Sequence, residues 1–156
     1  MGLFGRKRNQ QPDPVLSPAT VERVIEVCRE AGLQVRPMTT GDYLIDINGL
    51  QIVLAKAQDH LALGMYFLAG EGKDYTFVYN FTSDWVIEYN NANNGPVAFM
   101  TEQTYEEKMR VVFHCEYRIL NGLELSDAQF RDEVLFGLDA VTRGIYEFVE
   151  YKEGKD

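Results

Sequence analysis

Tyr43, Ile45 and Ile47 precede the dipeptide Asn48-Gly49, and Leu50, Ile52 and Leu54 follow it. Asn-Gly between alternating apolar residues is the strongest short-range hairpin signal, because a type I′ turn needs positive φ at both central positions. The turn fixes the register. Ile47 faces Leu50, Ile45 faces Ile52 and Tyr43 faces Leu54, so all six side chains share one face. Slipping the pairing by one residue would turn the whole set over. Any fold of this chain must therefore contain antiparallel sheet here, with one apolar side.

The flanking sequence extends that sheet and supplies cover for it. Leu33 to Met38 reads as a preceding strand, and Leu61 to Leu68 follows a turn at Gln58-Asp59-His60. In the latter, Leu61, Leu63, Met65 and Phe67 continue the core face. Gly70-Glu71-Gly72-Lys73 breaks the pattern, and Asp74 is placed to cap a helix. That helix, Phe77 to Asn94 and ending near Asn90, carries Phe77, Phe81, Trp85 and Tyr89 four residues apart. Helical spacing sets them in one stripe, read as the packing seam that joins two hairpins into one layer. A second hairpin is expected from Val97 to Thr101 and Met109 to Ile119. There Val111, Phe113, Cys115, Tyr117 and Ile119 face inward. A first helix opens with Ser17 as N-cap and Pro18 at its first position, and ends at Gly32. Ser126-Asp127-Ala128-Gln129 is a capping box for a last helix reaching about Tyr151, with Phe130, Val134, Leu138, Val141, Ile145 and Phe148 on one face. Gly137 and Gly144 within it mark either close approach of another backbone or tolerated surface positions. Helices accompanying runs of antiparallel strands make an α+β domain.

The chain has 156 residues, 46% of them hydrophobic, which suits one domain with a real core. Residues 1–16 read as a flexible basic tail with Arg6, Lys7 and Arg8, 17–151 as the domain, and 152–156 as a polar end. The net charge of −9 and pI near 4.7 argue against nucleic acid and anionic membrane as partners, and mildly favour basic ones. Cys28 and Cys115 form no disulfide framework and point to buried thiols in a reducing cytoplasm. No apolar run reaches the roughly 18 residues of a membrane span, and basic residues follow rather than precede the short apolar start, unlike a signal peptide.

No residue set suggests catalysis. His114 and Cys115 are neighbours on a strand and point to opposite faces, so they cannot form a dyad. His60 falls in a turn, and the two His and two Cys lack metal-site spacing. The glycines fit no phosphate loop. No catalytic residue, metal or cofactor is therefore expected, and the chain reads as a non-enzyme. The informative feature is the second sheet face, expected to carry Leu44, Val53, Tyr66, Leu68, Ala98, Met100 and Val112. That is more apolar than a solvated sheet surface should be. Three covers compete for it: the last helix, a second copy in a homodimer, or another polypeptide. Exposed edges also allow strand addition. Of these residues, Leu44, Val53, Tyr66, Leu68, Met100 and Val112 are the candidate partner-binding set. A second functional reading is a small-molecule sensor with a pocket between the aromatic helix and the sheet, lined by Trp85.

The stretch CREAGLQVRPMTTGDYLIDINGLQIVLA, the Asp84-Trp85 pair and a last strand running through Gly122 to a capped acidic helix resemble the YbjN-like family. The likeness covers about residues 17–151; Val86 follows the tryptophan where many members have asparagine. The resemblance implies a fold like type III secretion chaperones, αβββαββα, and a sensory-transduction or chaperone-like role in the bacterial cytoplasm. It implies no catalytic residues and no obligatory cofactor. Chaperones of that fold commonly dimerise and bind extended polypeptide.

Overall fold

A computed structural model of the protein describes residues 13–155. Its elements in chain order are β1 (Ser17–Pro18), α1 (Val21–Glu30), β2 (Gln34–Pro37), β3 (Tyr43–Ile47), β4 (Leu50–Lys56), β5 (His60–Leu68), α2 (Tyr75–Ala92), β6 (Val97–Tyr105), β7 (Lys108–Leu120), β8 (Glu124–Leu125) and α3 (Asp127–Glu153). The expected α+β architecture is present: an antiparallel sheet ordered β2-β3-β4-β5-β7-β6, with helices packed on it. The short pair β1–β8 stands apart from this sheet. The proposed tail falls largely in residues 1–12, outside the described residues, as does Asp156.

The Asn48-Gly49 turn forms as its sequence requires, with φ of 50° and 79°. Ile47 pairs with Leu50, Ile45 with Ile52 and Tyr43 with Leu54. The second hairpin is longer than expected, because β6 runs to Tyr105 and turns at Glu106-Glu107. Both glutamates adopt positive φ, 49° and 61°. That conformation is uncommon for residues with a Cβ, and the acidic dipeptide carries none of the usual turn signal.

The first helix starts later than its Ser-Pro signal. Thr20 is the N-cap and accepts from the Arg23 N–H at 3.2 Å. Ser17 and Pro18 instead pair with Leu125 and Glu124. Arg23 secures that pairing, donating to the carbonyls of Ser17 (2.7 Å), Pro18 (3.0 Å) and Leu125 (3.3 Å). Its guanidinium also lies 4.2 Å from the centre of the Phe130 ring. The capping box at Ser126 and Gln129 forms as expected.

The core lies between one sheet face and the helices. Ile45, Ile52, Leu54, Leu61, Leu63, Phe113, Cys115 and Ile119 line the sheet side and are essentially inaccessible. From α3, Phe130, Val134, Leu138, Val141, Ile145 and Phe148 meet them, as their spacing required. Phe148 is the hub of an aromatic cluster: its ring stacks on Phe113 at 3.9 Å and lies 5.2 Å from Trp85 and 6.5 Å from Phe81. The inward stripe of α2 is Val78, Phe81, Thr82, Trp85 and Tyr89. Phe77 begins the expected stripe but is 44% exposed and touches only its edge, through Phe81. A 3.6-residue period drifts away from a strict four-residue repeat, so the first member rotates out.

Gly137 and Gly144 are buried, which settles their role. A Cβ on Gly137 would collide with the Tyr117 ring. One on Gly144 would lie 2.6 Å from the Tyr89 hydroxyl and 3.1 Å from the Cys115 sulfur. The close approach is made by aromatic side chains rather than by another backbone.

Candidate functional site: the helix-free sheet face

All three described helices pack on the same side of the sheet, so the other side carries no helix of the described residues. Of the three expected covers, the C-terminal helix is thereby excluded. Register places Arg36, Leu44, Val53 and Gly64 in one row across β2 to β5 on that bare face. Tyr66, His114 and Phe99 form a second row across β5, β7 and β6, and Leu68, Val112 and Thr101 a third. Five of the six candidate residues therefore share this face: Leu44, Val53, Tyr66, Leu68 and Val112. Met100 does not. It pairs with Phe113, faces the helices and packs against the core, as does its neighbour in the pattern, Ala98, which pairs with Cys115. Both were expected on the outer face. The phase of β6 is set by the turn at Glu106-Glu107, which the sequence does not announce. Phe99 and Thr101 take the outer positions instead.

Exposure on the face is uneven. Tyr66 is 62% exposed, whereas Val112 is 4% exposed beneath its neighbours. The His114 ring stacks between Phe99, at 4.4 Å and 10°, and Tyr66, at 5.5 Å and 27°. These separations match the spacing of strands, so the rings stand upright on the sheet like books on a shelf. Their flat sides are occupied by one another, and the row offers edges to solvent rather than a stacking platform for bases. His114 Nε2 lies 2.7 Å from Thr101 Oγ1. Half-burial lowers the His114 pKa, partly opposed by the nearby Glu116 carboxylate, so the ring favours its neutral form.

Charge on this face does not follow the chain as a whole. Arg36 pairs with Asp46 at 3.1 Å and Arg118 with Glu116 at 2.5 Å. Lys108 and Arg110 join them on the outer side of β7. Four cations thus accompany two carboxylates on a face belonging to a chain of net charge −9. The general preference of an acidic protein for basic partners does not extend to this surface.

The other candidate chemistry is dispersed. Cys115 lies in the core while His114 lies on the bare face, as strand alternation required. Burial pushes the Cys28 thiol up to about 11 and the Cys115 thiol up to about 12, so both are held neutral. His60 opens β5 and lies 2.6 Å from Asp59 Oδ1, and that bond holds the Asp59 carboxyl below its ordinary range. Among the described residues no three His, Cys, Asp or Glu side chains gather as a metal site. Trp85 is 8% exposed, with Tyr89 stacked on it at 4.6 Å and Phe113 and Phe148 against its edges. The expected pocket beside it is filled by these rings. A cleft of about 330 Å³ opens one turn further on, between Asn93 to Pro96 and the α3 residues Phe136, Ala140, Arg143 and Glu147. No described helix is long and apolar enough to cross a membrane.

Two features escaped sequence reasoning. Phe99 belongs to the face, and its signal was alternation in β6, unreadable without the turn. The second is the side-chain amide of Asn90, which bonds the backbone of Ala98 in both directions: Ala98 N–H to Oδ1 at 2.9 Å, and Nδ2 to Ala98 O at 2.7 Å. Nothing local predicts that contact. No protein-family model, curated protein or solved structure matches the chain.

Proposed function

We propose that this protein is a non-catalytic, chaperone-like or regulatory protein of the cytoplasm that holds a polypeptide partner on its helix-free sheet face. The observation that carries this reading is the row structure of that face: Leu44, Val53, Tyr66, Leu68, Phe99 and Val112 lie on a surface that none of the described helices covers. Solvent-facing sheet surfaces normally alternate to polar residues, and a contiguous apolar patch marks an interaction site. The resemblance to the YbjN-like family agrees with it in kind. Two buried, neutral thiols suit a reducing compartment.

The test is site-specific photo-crosslinking in cells. A benzoylphenylalanine at position 66 should yield a discrete polypeptide adduct, which disappears when Val53→Asp is added. The same probe at exposed position 136, on α3, should not yield it. Equal adducts from both positions, or none from position 66, would overturn the reading. An adduct of twice the protein's own mass would make the partner a second copy, and light scattering at micromolar concentration should then give a dimer.

A further inference from the structure

The Asn90–Ala98 contact reveals more than local stabilisation. β6 is an edge strand, so alternate residues direct their N–H and C=O toward β7 and the rest direct theirs outward. Because both backbone groups of Ala98 are taken by Asn90, Ala98 is an outward residue. Alternation then makes Met100, Glu102 and Thr104 outward residues as well. Asn90 plugs the first outward position, and among the described residues no hydrogen bond takes up the next three. Every residue from Thr101 to Tyr105 is exposed. The opposite edge, β2, has four residues and ends in Pro37, which lacks an N–H. The sheet is therefore guarded on one side and open over a defined stretch of the other.

We infer that the open stretch Met100–Tyr105 of β6 accepts an extended peptide segment as a further antiparallel strand, with a basic residue opposite Glu102. This rests on the reading of the bare sheet face as a polypeptide site and states how the segment is held there. Three features select this occupant. A strand added beside Met100–Tyr105 continues the row Leu68–Val112–Thr101, so its outer side chain beside Thr101 extends the bare face. Glu102 points to the helix side, where it accepts from the Tyr75 hydroxyl, and it is the charged residue among the three open positions. A second copy fits poorly. The two-fold antiparallel pairing that uses all three open positions sets Glu102 directly opposite its own copy, and opposed like charges destabilise a sheet. Shifting that pairing toward Ala98 meets the Asn90 plug.

The partner segment thus alternates outward residues, beside Thr101 and Gln103, with residues on the helix side, of which the one opposite Glu102 is basic. In antiparallel pairing, directly opposed residues share the same hydrogen-bonding sense, so the basic residue is one of those whose N–H groups bond β6.

The probe is a fluorescein-labelled octapeptide of alternating valine and lysine, measured by anisotropy with the full chain. Binding should weaken at least tenfold when the lysine amides are N-methylated and little when the valine amides are. It should weaken similarly with valine–glutamate alternation. Thr104→Pro removes an outward N–H without touching the β7 ladder, and it too should weaken binding at least tenfold while melting stays near the parent. Should that variant melt early, Glu102→Lys decides: it should exchange the lysine peptide for the glutamate peptide. Equal loss from both N-methylated peptides, no effect of Thr104→Pro, an unchanged preference in Glu102→Lys, or no binding of the lysine peptide at all would overturn strand addition. Binding lost with Tyr66→Glu but indifferent to N-methylation and to Thr104→Pro would overturn the edge while leaving the face reading intact.

Discussion

The ring of Tyr117 on β7 lies over the backbone of Gly137 on α3, in the space a Cβ would need. Two turns along the helix, Gly144 gives the same room to the Tyr89 hydroxyl. Glycine within a helix costs about 1 kcal/mol against alanine. Here that cost lets α3 approach two aromatic residues of the core.

Gly137→Ala should therefore destabilise despite its better helix propensity. Overpacking against a ring costs about 1–3 kcal/mol, which exceeds the propensity gain. A fall of several degrees in Tm is expected by calorimetry. Gly144→Ala should behave alike, and adding Tyr89→Phe should recover part of the loss by removing the colliding hydroxyl. A more stable Gly137→Ala would show that the ring has room to move.

Asn90→Ala should cost about 1–3 kcal/mol in denaturant unfolding, because it leaves the Ala98 N–H and C=O without their side-chain partner. Asn90→Asp keeps an acceptor and loses the donor, so it should fall between. Asn90→Ala also lengthens the open edge by one outward residue, and light scattering should show more self-association than in the parent. Equal stability of the three proteins would count against the plug.

Arg23→Lys should not be conservative. The guanidinium reaches three carbonyls and the face of Phe130, a geometry that an ammonium cannot reproduce. A loss of about 1–2 kcal/mol and faster amide exchange at the β1–β8 pair are expected. Asp127→Asn should cost much less than Arg23→Lys, because the Asp127 side chain is fully exposed although 3.2 Å from Arg23.

Stability should fall at both ends of the pH range. Burial raises Cys28 to about 11 and Cys115 to about 12, against an ordinary value of 9.0. Below pH 9.0 both states keep these protons, and the thiols add no pH dependence. Above it the unfolded chain ionises first, binds fewer protons and gains population. The raised phenols of Tyr89 and Tyr117 act in the same direction at still higher pH. His114 works in the opposite sense: its folded pKa is lowered, so below its ordinary 6.5 the unfolded chain takes the proton first. Urea unfolding at pH 5.5, 7.5 and 9.5 should be most resistant in the middle, and His114→Gln should flatten the acid side. At pH 8 a disulfide thiol reagent should label both cysteines only after unfolding.

Much of this architecture was legible because it is local. Asn48-Gly49 set the β3–β4 register, Ser126 and Gln129 set the start of α3, and the apolar spacing of α3 named its buried face. The failures share a cause. Thr20 displaced Ser17 as the cap because Ser17 and Pro18 find partners at Leu125 and Glu124, more than a hundred residues away. Ala98 and Met100 changed faces because the turn that phases β6 is Glu106-Glu107, whose positive φ is held by the hairpin rather than chosen by its residues.

Antiparallel sheet with a defined apolar face, and helices with one side to bury, follow from the residues of this chain taken in order. Alternation and helical period are properties of consecutive residues, and they needed nothing else. Tertiary packing set the three described helices on one side, so that none of them covers Leu44, Val53, Tyr66, Leu68 and Phe99, which stand around the buried Val112 on the other. It also decided that one edge strand is stopped by Asn90 and open beyond it. The reason is physical: which face a helix covers, and which backbone groups point away from a sheet, depend on pairings between distant segments.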